Sequence, residues 1–171
     1  MGAQNTYRFS TPIGQAGGIY DLAPYAVDSF VNEADDGVLK FGAGVVRGTN
    51  AGTGVKAPDS ESLASQFEGI ITNRRTSENA LTGGVQLRKG CSLGVLRYGR
   101  IYGRVMTGIS PAYGDPVYLV ITGDEAGDFT NVAATTGTND ATYTSIAVKG
   151  RFLSGKSDDI ALIELFNQAQ A

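Results

Sequence analysis

The sequence predicts an all-β protein, and three observations point to this fold class. Short apolar segments recur about every 10 to 20 residues with turn-forming residues between them. No segment of helical periodicity has a persuasive length. The 171 residues include 24 glycines, a residue that disfavours long helices and suits tight turns. We therefore expect a sandwich or a jelly-roll-like barrel with an extended N-terminal arm.

The first 34 residues are the predicted arm, and residues 35–171 are the predicted compact β domain. In the arm, aromatic residues are spaced among glycines and prolines without a period of 2 or 3.6, which is typical of an extended or wrapping segment. Its rings need a partner surface, either the arm's own domain or a neighbouring subunit. The predicted partner-binding anchors of the arm are Tyr7, Phe9, Ile13, Tyr20, Leu22 and Tyr25.

Alternating and continuous apolar runs predict the strands of the β domain. The predicted strand segments are 38–47, 67–72, 92–98, 100–107, 117–121, 128–132, 142–153 and 160–166. The third and fourth segments flank Gly99 and either pair with each other or run on as one bent strand. The last segment also suits a short helix.

One segment matches a phosphate-binding loop formally. Residues 150–157 read Gly-Arg-Phe-Leu-Ser-Gly-Lys-Ser, but such a loop must follow a buried parallel strand and open a helix whose N-terminus faces the phosphates. Arg151, Phe152 and Leu153 instead continue a strand, and too little chain follows for a doubly wound sheet. We expect a turn between two final strands, and no nucleotide site.

Composition excludes much of the chemistry of enzymes. There is no His, so a Ser-His-Asp triad, a Cys-His pair and a His-ligated metal site are all excluded. The single cysteine, Cys91, forms no internal disulfide and reads as a small strand or turn residue. The acidic turns lack the spacing of a calcium loop. We therefore predict no catalytic residue, no cofactor and no metal ligand.

A basic cluster interleaved with tyrosines is the main charged feature. Arg97, Arg100 and Arg104 alternate with Tyr98 and Tyr102. This mixture suits nucleic acid, an acidic protein surface or salt bridges within an oligomer. The excess of 17 acidic over 14 basic residues disfavours nucleic acid. We therefore predict that the three arginines contact a protein partner.

The chain shows neither a secretory signal at its start nor an apolar run as long as a membrane span. We expect a soluble protein made in a cytoplasm.

Several segments, in order, resemble the structural cement family, the small head-decoration proteins of tailed bacteriophages. The resemblance covers roughly residues 36–166 and consists of glycines, apolar alternation and one Gly-Asp-Pro turn. The matching segments are 41–48, 67–70, 93–101, 114–118, 149–154 and 161–165. The predicted arm lies outside it.

The resemblance implies a non-enzymatic, β-rich homo-oligomer, a trimer or a dimer, on the outer surface of the virion. Such a protein would bind the major capsid protein lattice between subunits and stabilise it against internal DNA pressure, without direct contact to nucleic acid or membrane. The alternative is a β-sandwich binding module, for a receptor or a glycan, carried on a virion. The absence of Trp counts against stacking on sugars.

Overall fold

The computed structural model describes residues 14–73, 78–79, 85–137 and 141–167. These residues are almost entirely β structure, with one 3-10 turn at Ala64–Gln66. The strands are β1 (Ala26–Asn32), β2 (Gly44–Arg47), β3 (Gly54–Lys56), β4 (Phe67–Ile71), β5 (Glu78–Asn79), β6 (Val85–Gln86), β7 (Ser92–Arg104), β8 (Pro116–Val120), β9 (Phe129–Thr130), β10 (Ser145–Phe152) and β11 (Ile160–Leu165). The predicted all-β fold with a barrel is confirmed.

Five strands close into a small barrel in the order β1-β3-β2-β4-β7, because β7 also pairs with β1. The β1–β7 pairing is antiparallel and runs from Ala26 opposite Tyr98 to Val31 opposite Ser92. The only parallel contact in the described barrel is between β1 and β3. Closure leaves no unpaired sheet edge around the barrel.

The C-terminal half of β7 leaves the barrel and becomes the first strand of a second sheet. This sheet has the order β7-β11-β10-β8-β9, with Gly99 to Arg104 paired to β11. A parallel bridge between Val105 and Phe129 brings β9 back towards the end of β7. One 13-residue strand is therefore shared by both halves of the molecule.

The two halves have separate apolar cores, and the strands between them are buried on both faces. Within β4, Ile71 belongs to the cluster that fills the barrel, whereas Ile70 belongs to the cluster under the second sheet. Val45 and Val46 of β2 divide in the same way. All five residues of β4 are buried. Two-sided burial explains why these strands are continuous apolar runs rather than alternating ones.

The described part of the predicted arm packs on its own domain. Ile19 forms an antiparallel bridge with Ile101, which also pairs with Ile163 of β11, so the arm lies on the free edge of β7. The Tyr20 amide donates to the Arg100 carbonyl, and the Tyr102 amide donates to the Gly18 carbonyl.

The predicted boundary at residue 34 does not coincide with the start of the sheet. Residues 26–32 form β1 of the barrel, although they were expected in the arm. Only Phe30 and Asn32 of this strand are buried, whereas Asp28, Ser29 and Val31 are exposed. That sparse apolar pattern hid the strand from sequence reasoning.

The structure also decides three other strand predictions, for residues 38–47, for the two segments on either side of Gly99 and for residues 160–166. The segment predicted at 38–47 is a strand only from Gly44 onward, because the Ala43 amide donates to the Lys40 carbonyl in a preceding turn. The segments on either side of Gly99 form one continuous strand. Residues 160–165 form a strand and not a helix, since they pair with both β7 and β10.

The glycine-rich loop between β2 and β3 binds the carboxylate of Glu33, the residue that follows β1. The Glu33 Oε2 atom accepts from the Thr49 amide at 2.6 Å, and Oε1 accepts from the Asn50 amide at 3.0 Å and its Nδ2 at 2.9 Å. A Cβ atom at Gly54 would lie 1.8 Å from Oε1, so the carboxylate occupies the place of a side chain. The backbone donors of Asn50 and Thr49 lower the pKa of Glu33.

Gly99 is the residue of β7 that lies against the chain between the arm and β1. Its φ of 121° lies in the region that favours glycine. A Cβ atom there would meet the Tyr25 Cβ at 2.7 Å. Residues 21–25 link Ile19, which bridges Ile101, to Ala26, which pairs with Tyr98, and a side chain at Gly99 would clash with this link.

We predict that Gly99→Ala lowers the free energy of unfolding by roughly 2 to 4 kcal/mol, through backbone strain and overpacking against Tyr25. The matched control is Gly52→Ala, where φ is 83° and no atom lies within 4 Å of the added Cβ. That variant should cost only about 1 kcal/mol. Urea unfolding of both variants measures the difference. Equal losses would show that the crossing imposes no steric limit at Gly99.

We predict that Glu33→Gln lowers the melting temperature at pH 7 and that this loss shrinks on acidification. The pKa of Glu33 is lowered in the folded state, so its stabilisation is fully present above the unfolded pKa and disappears as pH falls through the folded one. Glu61→Gln, at an exposed position, controls for the loss of one charge. Melting curves between pH 7 and pH 3 check this. A gap between wild type and Glu33→Gln that stays constant with pH would contradict it.

Candidate functional site

The most exposed large apolar side chain of the described residues, Leu22, lies in the segment that leads across from the arm to β1. We call this segment, residues 21–25, the crossing segment. Asp21 fixes its turn, because Oδ1 accepts from the Ala23 amide at 3.2 Å. Asp21 Oδ2 also accepts from Arg100 Nη1 at 2.9 Å, which ties the segment to β7. Two contacts from one carboxylate hold this turn in a defined shape.

Three predicted anchors lie on or beside the crossing segment and are exposed. Leu22, at its tip, is 97% exposed, and Tyr20 and Tyr25 are 51% and 42% exposed. The Tyr20 ring packs edge-on against Tyr102 with ring centroids 6.0 Å apart. A single exposed leucine is ordinary, but several exposed apolar side chains on one short segment are typical of an interaction surface.

A groove opens beside the crossing segment, on the face formed by β7, β11 and β10. β1 begins opposite Tyr98, and β11 ends opposite the next residue, Gly99. The cavity here has a volume of about 440 Å³, and we call it the fork groove. Its lining residues are Ala23, Pro24, Tyr98, Gly99, Arg100, Arg151, Glu164, Leu165 and Phe166.

The floor of the fork groove is an ionic network centred on Glu164. Oε1 accepts from Arg100 Nε at 3.1 Å, and Oε2 accepts from Arg151 Nε at 2.7 Å. Arg100 Nη1 also contacts Asp21 Oδ2. The Arg151 guanidinium lies 5.9 Å from the centroid of the exposed Tyr113 ring. Two positive and two negative charges therefore neutralise one another beneath the groove.

Mutual hydrogen bonding stabilises the charged forms of this network. The bonds to Glu164 and then to Asp21 raise the pKa of Arg100. Burial opposes ionisation of Glu164, but the bonds from Arg151 and Arg100 outweigh it and lower the pKa of this carboxyl. Both shifts favour the charged forms of Arg100 and Glu164 at neutral pH.

The other predicted arginines also face carboxylates of their own chain. Arg97 contacts Asp28 at 3.3 Å and the buried Glu68 at 3.1 Å. Arg104 Nε lies 3.3 Å from Asp128 Oδ1, where burial raises the pKa of the carboxyl. The structure thus brings Arg100 to the groove with Tyr20, Leu22 and Tyr25, but it spreads the three arginines along β7.

Three of the predicted anchors, Tyr7, Phe9 and Ile13, lie outside the described residues. Sequence reasoning did not single out Arg151, Glu164 or Phe166 as site residues, since no local motif marks them. The pairing of Arg151 with Glu164 across β10 and β11 brings them to the groove. Opposite charges at the matching positions of two paired strands are the signal that would have found this pair.

The formal phosphate-loop match is a strand, a turn and a strand. β10 ends at Phe152 and β11 begins at Ile160, and the Ser157 amide and the Ile160 carbonyl close the turn between them. Lys156 Nζ is held by Asp159 Oδ1 at 3.0 Å and by the Met106 carbonyl at 3.1 Å. The lysine braces this turn and does not face a phosphate cradle.

The described residues contain neither a metal-binding cluster nor a membrane-spanning helix. They contain no group of three or more acidic or thiol side chains placed to hold a metal ion. Within the same ranges, no helix has the length and apolar character needed to cross a membrane.

Comparison with known proteins places the chain in a family. A search of curated protein sequences found no match. A chain of the solved structure titled "The capsid of Myoviridae Phage XM1" has the same fold, with a TM-score of 0.72 at 20% identity over 96% of this chain and 98% of that one. The model of the family described as structural cement protein (E217 gp24/Pam3 gp6) matches residues 3–166. Because this match spans nearly the whole chain, the protein belongs to the structural cement protein family of phages.

Proposed function

We propose that this protein cements a phage head by binding the outer surface of the major capsid protein lattice, between subunits, and by stabilising the lattice against internal DNA pressure. Membership of the structural cement family supports a structural role in the capsid. The observation that carries the finer proposal is the braced crossing segment with its exposed Leu22.

The stabilisation follows from mass action. A protein that binds the mature lattice and not its ruptured state adds RT ln(1 + [L]/Kd), about 4 kcal/mol per site at a thousandfold excess over Kd. Many copies bind one shell, so a modest affinity at each site suffices. No chemical step is required of the protein.

The crossing segment provides the anchors of the proposed interface. Leu22, Tyr20 and Tyr25 project from a turn that Asp21 and Arg100 already hold in shape, so little conformational entropy is lost on binding. Apolar anchors of this kind dominate interface energies when they enter a pocket on the partner. The proposed partner is therefore an apolar depression between capsid subunits.

The arginines have a second role in this proposal. Arg100 positions the crossing segment through Asp21, and Arg97 and Arg104 lie further along the same strand. Their partner-binding role remains a prediction, because each already contacts a carboxylate of its own chain. A capsid carboxylate would have to share or displace these partners, and so we expect binding to depend more on apolar contact than on charge.

We predict that Leu22→Asp weakens binding to expanded heads prepared without this protein by on the order of tenfold or more. Burying a leucine contributes roughly 1.5 to 3 kcal/mol, and a buried unpaired carboxylate adds to the loss. Because Leu22 is 97% exposed, the melting temperature of the free protein should not change. Co-sedimentation with heads measures the binding.

The matched control is Leu63→Asp, which changes a 60% exposed leucine outside the crossing segment and the groove. It should bind heads as wild type does. Full occupancy of heads by Leu22→Asp would refute the anchoring role of the crossing segment. Failure of the wild-type protein to bind heads, together with specific binding to a glycan array, would favour a receptor-binding module instead.

A further inference from the structure

The fork groove is lined by an arginine whose outer edge is available to a partner. Arg151 donates from Nε to Glu164 Oε2 at 2.7 Å, and within the described residues its terminal nitrogens, Nη1 and Nη2, have no hydrogen-bond partner. The side chain is 42% exposed. We propose that the fork groove receives a carboxylate side chain of the major capsid protein, bound by these two nitrogens, with an apolar neighbour of that carboxylate against the groove wall. The carboxylate contact deepens the proposed function and rests on it.

One guanidinium can bind two carboxylates, because its N–H donors lie along more than one edge. The edge formed by the two terminal nitrogens matches the two oxygens of a carboxylate. Glu164 uses only the Nε atom of Arg151, so a carboxylate on the terminal edge displaces nothing. Arg97 differs, since its terminal nitrogens already contact Asp28 and Glu68.

The Arg151 guanidinium is already held in place. Arg151 on β10 lies opposite Glu164 on β11 in the register of the sheet, and its Cζ atom lies 5.9 Å from the centroid of the Tyr113 ring. A salt bridge at one edge and an aromatic ring at one face orient the group. Little side-chain entropy is then lost when a carboxylate binds the remaining edge.

The order of charges in the groove favours an anion at this position. The contacts of the ionic network form a chain of alternating sign, in the order Asp21, Arg100, Glu164 and Arg151. Arg151 is the positive end of this chain, whereas the balancing Asp21 lies at the other end, on the crossing segment. A carboxylate beside Arg151 therefore continues the alternation, which is the electrostatic complementarity expected across an interface.

The rest of the groove wall is apolar and adjoins the crossing segment. Phe166 is 45% exposed and Tyr98 is 42% exposed, and Pro24 of the crossing segment completes the lining on that side. Aromatic side chains of this kind bind the apolar part of a ligand, while a few polar groups fix its orientation. Because Leu22 lies in the same crossing segment, one capsid surface can contact both the leucine and the groove.

A pair of matched arginines tests the carboxylate contact. Arg151→Gln should weaken co-sedimentation with expanded heads by roughly tenfold, since it removes a bidentate, charge-assisted contact. Arg47→Gln is the control, because Arg47 also contacts a buried glutamate, Glu68, through Nε and is 48% exposed, but lies outside the groove lining. It should bind heads as wild type does. Melting temperatures of both variants check the fold.

Cross-linking with a water-soluble carbodiimide identifies the group that Arg151 binds. Arg151→Lys keeps a positive charge beside Glu164, which preserves the fold, and brings an amine to the groove. The reagent joins an amine and a carboxyl group in contact into an amide, with loss of water. On heads saturated with this variant, mass spectrometry should find an amide between position 151 and an Asp or Glu of the major capsid protein. Arg47→Lys should give none at position 47.

The outcomes separate this contact from the proposed function. If wild type binds heads and Leu22→Asp does not, but Arg151→Gln binds as wild type does, the carboxylate contact is refuted and the proposed function stands. A cross-link from position 151 only to Glu164 of the same chain, on saturated heads, also refutes the contact. If wild type does not bind heads, both fail.

Discussion

The structure depends on a single strand that both sheets must share. β7 closes the barrel with its first half and opens the second sheet with its second half. The elements near the candidate site are positioned relative to it: the arm, β1 and β11 each pair with it, and the crossing segment lies against Gly99. The fork groove lies where β7 passes from the barrel into the second sheet.

The arginines of β7 are paired with carboxylates, and the crossing segment beside them exposes apolar side chains. The arginines of β7 each contact a carboxylate from another part of the chain: a strand, the crossing segment or, at Asp128, the residue before β9. Most of these pairs are partly exposed, and exposed pairs contribute little to the free energy of folding. Their effect is geometric, since they fix a turn, a groove floor and the outward direction of Leu22.

The sequence was sufficient for the fold class, for most strands and for the turn at Ser157. Strands buried on both faces, such as β4, are strong apolar runs and were found. β1 was missed because only two of its residues are buried. The single strand through Gly99 was one of two open alternatives, since a glycine reads equally as a turn or as a crossing point. The family resemblance, drawn over roughly residues 36–166, is confirmed, whereas the expectation that the arm lies outside it was wrong, because the family match covers residues 3–166.

The candidate site was only half visible in the sequence. Tyr20, Leu22 and Tyr25 were identified because exposed apolar residues in an irregular segment need a partner surface. The groove was not identified, because its members come from four parts of the chain that only tertiary pairing brings together. Glu164, in particular, is one carboxylate in an apolar strand, and its link to two arginines depends on the register of β11 with both neighbours.

The shared strand also determines how a pull on the molecule is carried. Proteins built from two modules joined by a linker yield first at the linker, where few bonds resist stretching. Here the two halves share β7 itself: a pull on the crossing segment passes from Asp21 to Arg100 and so into a strand whose first half pairs within the barrel and whose second half pairs with the second sheet. Such a load is therefore spread over the hydrogen bonds of both sheets.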